Sequence, residues 1–241
     1  MKKNVLTAFV IVSLPALVVS AFVLLSPPRT WDSPPTYIVD DGGISTINDG
    51  DNGVTAVVNA LNSNDAWNGA GVGVVVNAVA GPVNAGNFVL GDGIPMLTFT
   101  DPLNVCTGNC LAATFTGFFS DRGDGTTRID DADVVTNADG FAWTSEGEDP
   151  GGAGCSSEIY VEGVQVHEVG HGLGLGHTNV SGATMLPTVA FCDNGPATIE
   201  QDDADGINAL YGECLPKGAS CSRDSDCCGM KCRGGRNPVC R

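Results

Sequence analysis

His167-Glu168-Val169-Gly170-His171-Gly172-Leu173-Gly174-Leu175-Gly176-His177 is the stretch on which the reading of this chain turns. His167 and His171 stand four residues apart, so on a helix they share one face a single turn apart. Two neutral imidazoles placed that way can hold one zinc ion, with Glu168 beside them as a candidate base. Gly174 can end the helix, because a left-handed backbone costs glycine nothing. The chain then turns back and can deliver His177 as a third ligand. Three protein ligands leave a tetrahedral zinc one open position, which is the arrangement of a catalytic site. The plain alternative is a pair of surface or core histidines. Against it stand the complete H-E-x-x-H-x-x-G-x-x-H spacing, Met185 eight residues further on, and the confinement of all three histidines to this motif.

The motif and its methionine form the metzincin signature. His167 to Pro187, HEVGHGLGLGHTNVSGATMLP, resembles the active-site stretch of the matrixins, the branch that includes the matrix metalloproteinases. Thr178 follows the third histidine, where matrixins usually carry Ser, astacins Glu, adamalysins Asp and serralysins Pro. Ile199–Gly212 (IEQDDADGINALYG) resembles the matrixin C-terminal helix, with Asp202 and Asp203 as its paired aspartates. Arg128–Asn137 (RIDDADVVTN) is similar to the strand that precedes the active-site helix in bacterial members. The likeness is strong over 128–212, weak over 30–127 and absent after 213.

This resemblance implies an α+β fold, in which a twisted mixed sheet carries an active-site helix and a C-terminal helix. It implies a zinc metalloendopeptidase whose partner is a protein or peptide substrate, with His167, His171 and His177 on zinc. Glu168 would take a proton from water and pass it to the leaving amine. Met185 would lie beneath the metal as a packing floor, not as a ligand. Matrixins wall the pocket for the residue after the cut with Pro-x-Tyr, and this chain has Pro187-Thr188-Val189 there. Leu111–Phe119 would be the edge strand that pairs with an extended substrate. Matrixins commonly hold a second, structural zinc through further histidines, and none is left here, so a single zinc is expected. Latent matrixins cap the zinc with a propeptide cysteine, yet the first cysteine here is Cys106.

Length and charge set the modules. The 241 residues allow one domain of about 180 residues and something small. A net charge of −17 argues against nucleic acid, whose phosphates demand a basic face. Residues 22–213 hold three basic side chains (Arg29, Arg122, Arg128) against 26 acidic ones. Residues 214–241 reverse the sign, with six basic side chains against Asp224 and Asp226. The expected division is a leader over 1–21, a linker over 22–35, the catalytic domain over 36–213 and a terminal module over 214–241.

Lys2 and Lys3 precede an uncharged apolar run from Val5 to Leu25, which reads as a secretory signal with a small-residue cleavage site at Val19-Ser20-Ala21. An uncleaved anchor is the alternative. Either places the domain outside the cytoplasm, and a monomer is expected. Helical spacing of Val54, Val57, Val58 and Leu61 predicts a helix within Asp51–Trp67, with Asp51 or Asn52 as N-cap. Strands are expected at Gly73–Val79, Phe88–Leu90, Met96–Thr100 and Leu111–Phe119. Ser156 or Ser157 is expected to cap the active-site helix. Asp121, Asp124, Asp130, Asp131 and Asp133 offer oxygen ligands that calcium accepts. A solvated acidic loop is the alternative, since no complete EF-hand spacing is present.

Ten cysteines in a chain with an export signal point to disulfides. Six of them crowd into 214–241 with spacing C-x6-C-x5-C-C-x3-C-x7-C, which leaves 15 connectivities open. The spacing resembles the inhibitor cystine-knot (knottin) framework, which implies Cys214–Cys228, Cys221–Cys232 and Cys227–Cys240. The other four are expected to pair as Cys106–Cys110 and Cys155–Cys192. A basic knot beside an acidic domain suits an anionic polysaccharide or cell surface as its target. The rival functional class is a non-catalytic or toxin-like binding protein with the knot as effector. An intact Glu168 argues against it.

Overall fold

The computed structural model describes residues 22–69, 74–84, 86–116, 119–121, 127–212, 217–221, 232–235 and 238–241. The leader, Asp124 and Cys214, Cys227 and Cys228 lie outside them. Five short strands make the central sheet: β1 (Thr36–Asp40), β2 (Asn77–Gly81), β3 (Met96–Thr98), β4 (Ala112–Phe115) and β5 (Asp133–Thr136). Their order is β2-β1-β3-β5-β4. Four run parallel, and β4 lies antiparallel at the edge, with Ala113 opposite Val135 and Phe115 opposite Asp133.

Alternation explains how both faces are covered. Val134 points into the main core with Tyr37, Leu97, Phe99, Val169 and Ile207, whereas Val135 points to a second cluster with Val83, Phe88, Met96 and Cys106. β5 is buried at all four positions, its two valines flanked by the buried polar side chains of Asp133 and Thr136. Phe88–Leu90 is not a strand. Its phenylalanine belongs to the loop cover of the sheet's far face. The other expected strands shorten or shift: Gly73–Val79 becomes Asn77–Gly81, and Met96–Thr100 becomes Met96–Thr98. Leu111–Phe119 becomes β4, and Phe119–Asp121 pairs instead with Thr127–Ile129.

On the main-core face lie α1 (Val54–Asn62) and α2 (Val161–Gly172), packed against each other. The N-cap position of α1 falls to Gly53, but Asp51 still does part of the capping, accepting the Thr55 N–H at 3.0 Å. Ser156 and Ser157 do not cap α2. Their N–H groups bond to Glu158 Oε2 at 2.7 and 2.8 Å, and a parallel bridge of Ile159–Tyr160 with Trp143–Thr144 runs straight into the helix. The third helix, α3 (Gln201–Tyr211), has a capping box of Glu200 and Asp203.

Residues 22–31, expected to be part of a linker, are strapped across the end of α2. Val23 and Leu24 pair antiparallel with Gly176 and Leu175, and Leu25 N–H donates to Gly174 O. Trp31 Nε1 donates to Gly172 O at 2.9 Å, and Tyr211 Oη–H donates to Leu173 O at 2.8 Å. Disulfides join Cys106–Cys110, Cys155–Cys192 and Cys221–Cys232. Cys232–Arg233 pairs with Val239–Cys240 in a small hairpin. Cys214–Cys228 and Cys227–Cys240 involve residues outside those described. No described helix is long and apolar enough to cross a membrane.

Candidate metal centre

α2 is buried nearly all round, so its histidines are fixed by what packs behind them. Trp67 Nε1 donates to Val166 O at 2.8 Å, and Met185 is 2% exposed under the helix. Gly170 is required at that crossing, because a Cβ there would lie 2.4 Å from Met185 Sδ and 2.6 Å from Trp67 Cζ2. The helix ends at Gly172, and Gly174 takes φ +107° at a point where a Cβ would lie 2.5 Å from Arg29 O. A side chain at 174 meets both strain and a backbone atom.

The three imidazoles converge. Ring centroids are 4.8 Å apart for His167 and His171, 5.2 Å for His167 and His177, and 4.7 Å for His171 and His177. One ligand atom from each can be chosen so that all lie within 4.8 Å of one another. His167 Nδ1 lies 2.6 Å from Thr184 O, and His171 Nδ1 lies 2.8 Å from Leu175 O. A carbonyl can only accept, so each Nδ1 carries the proton and each Nε2 is left with a lone pair. His171 Nε2 is 3.1 Å from His177 Nε2. Two nitrogens on a tetrahedral zinc, at about 2.0–2.1 Å each, stand about 3.3 Å apart. Burial lowers the pKa of all three, that of His167 to about 4, so they are neutral when a metal needs them to be. The residues fit zinc.

Glu168 is buried beside the site, and Thr114 on β4 donates to its Oε2 at 2.6 Å. Burial raises its pKa, while His171 and the Thr114 hydroxyl oppose that. The same hydroxyl lies 2.9 Å from Glu168 O, pinning the edge strand to the helix. Behind His167, Asp203 accepts the N–H groups of Thr184 (2.8 Å) and Met185 (3.0 Å). One carboxylate of α3 thus fixes the carbonyl that orients a ligand. Thr114 carried no signal in the sequence, and Asp203 stood out only through the aspartate pair.

A cleft of about 410 Å³ opens from His167, Glu168 and His177. Pro187, Thr188 and Val189 line it, together with Phe141 and Phe191, which add aromatic walls. The acidic residues behave differently. Asp130 pairs with Arg128 at 2.5 Å, Asp131 accepts the Gly91 N–H at 2.7 Å, and Asp133 accepts the Met96 N–H at 3.0 Å. Each of the three thus has a protein donor on at least one oxygen, while Asp133 Oδ2 is buried without a hydrogen-bond partner. Burial, helped by the Asp131 charge, pushes the Asp133 pKa up to about 8. Asp124 and the Asp121 side chain lie outside the described residues.

Three imidazoles that can hold one metal ion and a buried carboxylate beside an edge strand form an arrangement suited to hydrolysis. Residues 104–212 match the family model described as Matrixin. A 49-residue stretch is 49% identical to human neutrophil collagenase, covering 20% of this chain and 10% of that protein. Metalloendoproteinase 5-MMP of Arabidopsis thaliana is 46% identical over 54 residues, 22% of this chain and 15% of the relative. A third relative, 2-MMP of the same plant, is 36% identical over 70 residues, 29% and 18% respectively. The chain thus matches only a tenth to a fifth of the length of these relatives. Matrixin homology over this segment supports a metalloprotease.

Proposed function

We propose that the protein is a secreted zinc metalloendopeptidase, with His167, His171 and His177 as ligands and Glu168 as general base. The observation that carries this is the convergence of three imidazoles with two Nδ1 groups tied to carbonyls and Glu168 buried next to them. Zinc, when bound, supplies a Lewis acid and a water that ionises near neutral pH. The chain's own groups do the rest. The free edge of β4 pairs with an extended peptide, and Leu111 and Ala112 line the cleft where that peptide lies. Phe141 and Phe191 receive an apolar side chain on one side of the cut. Glu168 takes the proton of the attacking water as its oxygen bonds to the scissile carbon. As the C–N bond breaks, it gives that proton to the amine. The test is cleavage of an unfolded protein with and without a zinc chelator. Activity should vanish and return on adding zinc, and cleavage that survives complete zinc removal would refute the reading.

The terminal module has no histidine and is basic, so its proposed role is placement on an anionic polysaccharide or cell surface. Truncation after Glu213 is expected to leave small-peptide cleavage unchanged and abolish binding to an insoluble anionic matrix. Faster peptide cleavage by the truncated chain would instead mark the module as a brake, and binding that persists would end the targeting idea.

A further inference from the structure

Glu162 lies on α2 five residues before His167, about 140° around the helix from it. The two therefore face different ways, and the mechanism makes no use of Glu162. It is nonetheless only 2% exposed. Its Oε1 accepts the Glu146 N–H at 2.8 Å and the Asn194 Nδ2–H at 3.1 Å, while Oε2 has no hydrogen-bond partner. Asn194 Oδ1, next to it, is a second buried acceptor without a donor. A buried carboxylate oxygen in that state is costly unless something positive meets it.

What lies beside it is a groove of about 590 Å³ between α1 and the start of α2. Asp49, Asp51, Asp65 and Glu146 line it with Glu162, and no Lys, Arg or His does. Burial pushes the Asp49 pKa up, but donors from Ser145, Gly53 and Asp51 outweigh that and keep it low, so a fixed negative charge faces the groove. A proton on Glu162 would quiet one oxygen and leave the other carboxylates facing the same space.

We propose that this groove is a second metal site, for a hard divalent cation of the calcium type, with Glu162 as its buried anchor. The polar side chains of the lining offer oxygen: carboxylates, the hydroxyls of Thr55, Ser63 and Thr198, and the amide of Asn59. Calcium takes six to eight such oxygens and fills the rest with water. An organic cation finds no aromatic face there. The groove carboxylates are not among the groups whose ligand atoms already lie within 4.8 Å of one another. The exposed Glu146 side chain must therefore swing in, and affinity belongs at the weak end, about 10⁻⁴–10⁻³ M.

The test is calcium titration of the zinc-loaded full chain by calorimetry, beside Glu162→Gln and Glu146→Gln. Wild type is expected to bind a calcium ion that Glu162→Gln loses by at least about tenfold in affinity, along with the rise in Tm that calcium brings. Zinc content and peptide cleavage in calcium-free buffer should be the same in both. Should Glu162→Gln fail to fold, the exposed Glu146→Gln decides: weakened calcium binding supports the site, and unchanged binding overturns it. Equal binding and equal Tm rise in wild type and Glu162→Gln overturn it too, as does no binding at about 10 mM, ten times the weak limit.

Discussion

Glu168→Ala is expected to retain its zinc and its melting temperature while losing about 10²–10⁴-fold in turnover, the range a positioned general base contributes. Glu168 stands among the ligands without belonging to them, and its backbone carbonyl keeps the Thr114 contact whatever the side chain. The Oε2 contact to Thr114 is lost. Glu168→Gln restores an acceptor there and should be no more active, because an amide cannot shuttle the proton. Zinc content, Tm and kcat measured on the same preparations separate this from unfolding. Near wild-type kcat in a zinc-replete Glu168→Ala would remove Glu168 from the mechanism.

His177→Ala should cost the metal itself. His167 and His171 are half-buried on α2 and oriented by Thr184 and Leu175, whereas His177 arrives on the segment after Gly174 and is exposed. Two imidazoles seldom retain zinc. Affinity should fall by more than the 10–100-fold that loss of an outer-shell partner costs. Metal analysis after dialysis against a mild chelator should find one zinc per wild-type chain and far less in the variant. Two tightly held zincs in wild type would break the inference drawn from the histidine count, and a fully loaded His177→Ala would remove it from the ligand set.

The parts of this site that could be read in advance are those that depend on spacing along one helix. His167, Glu168 and His171 follow from the 3.6-residue period, and the turn at Gly174 from its backbone freedom. Thr114, Trp67 and Asp203 act across 54, 99 and 18 residues of chain and leave no local pattern. For the same reason the aromatic walls from Phe141 and Phe191 could not be placed from Pro187-Thr188-Val189 alone. The strap at 22–31 read as a linker because it is short, proline-containing and without periodicity, yet its backbone bonds to Gly174, Leu175 and Gly176. Acidic density along the chain was a poor guide to which carboxylates are buried. Asp131 and Asp133 each accept an N–H group inside the core, and Glu162 gave no sign of its burial.

Asp203 sets the size of the unit that must fold. Its carboxylate receives N–H groups from Thr184, Met185 and Glu200, so it ties the turn below the metal to the first turn of α3. The motif ends at His177, but its geometry is completed by a residue 26 positions downstream. The smallest autonomous version of this centre is therefore a closed circuit, from the strap at Val23 through the ligands to Tyr211, whose hydroxyl returns to Leu173. A peptide bearing the histidines alone has every donor atom and none of the framework that keeps them apart from one another and from water.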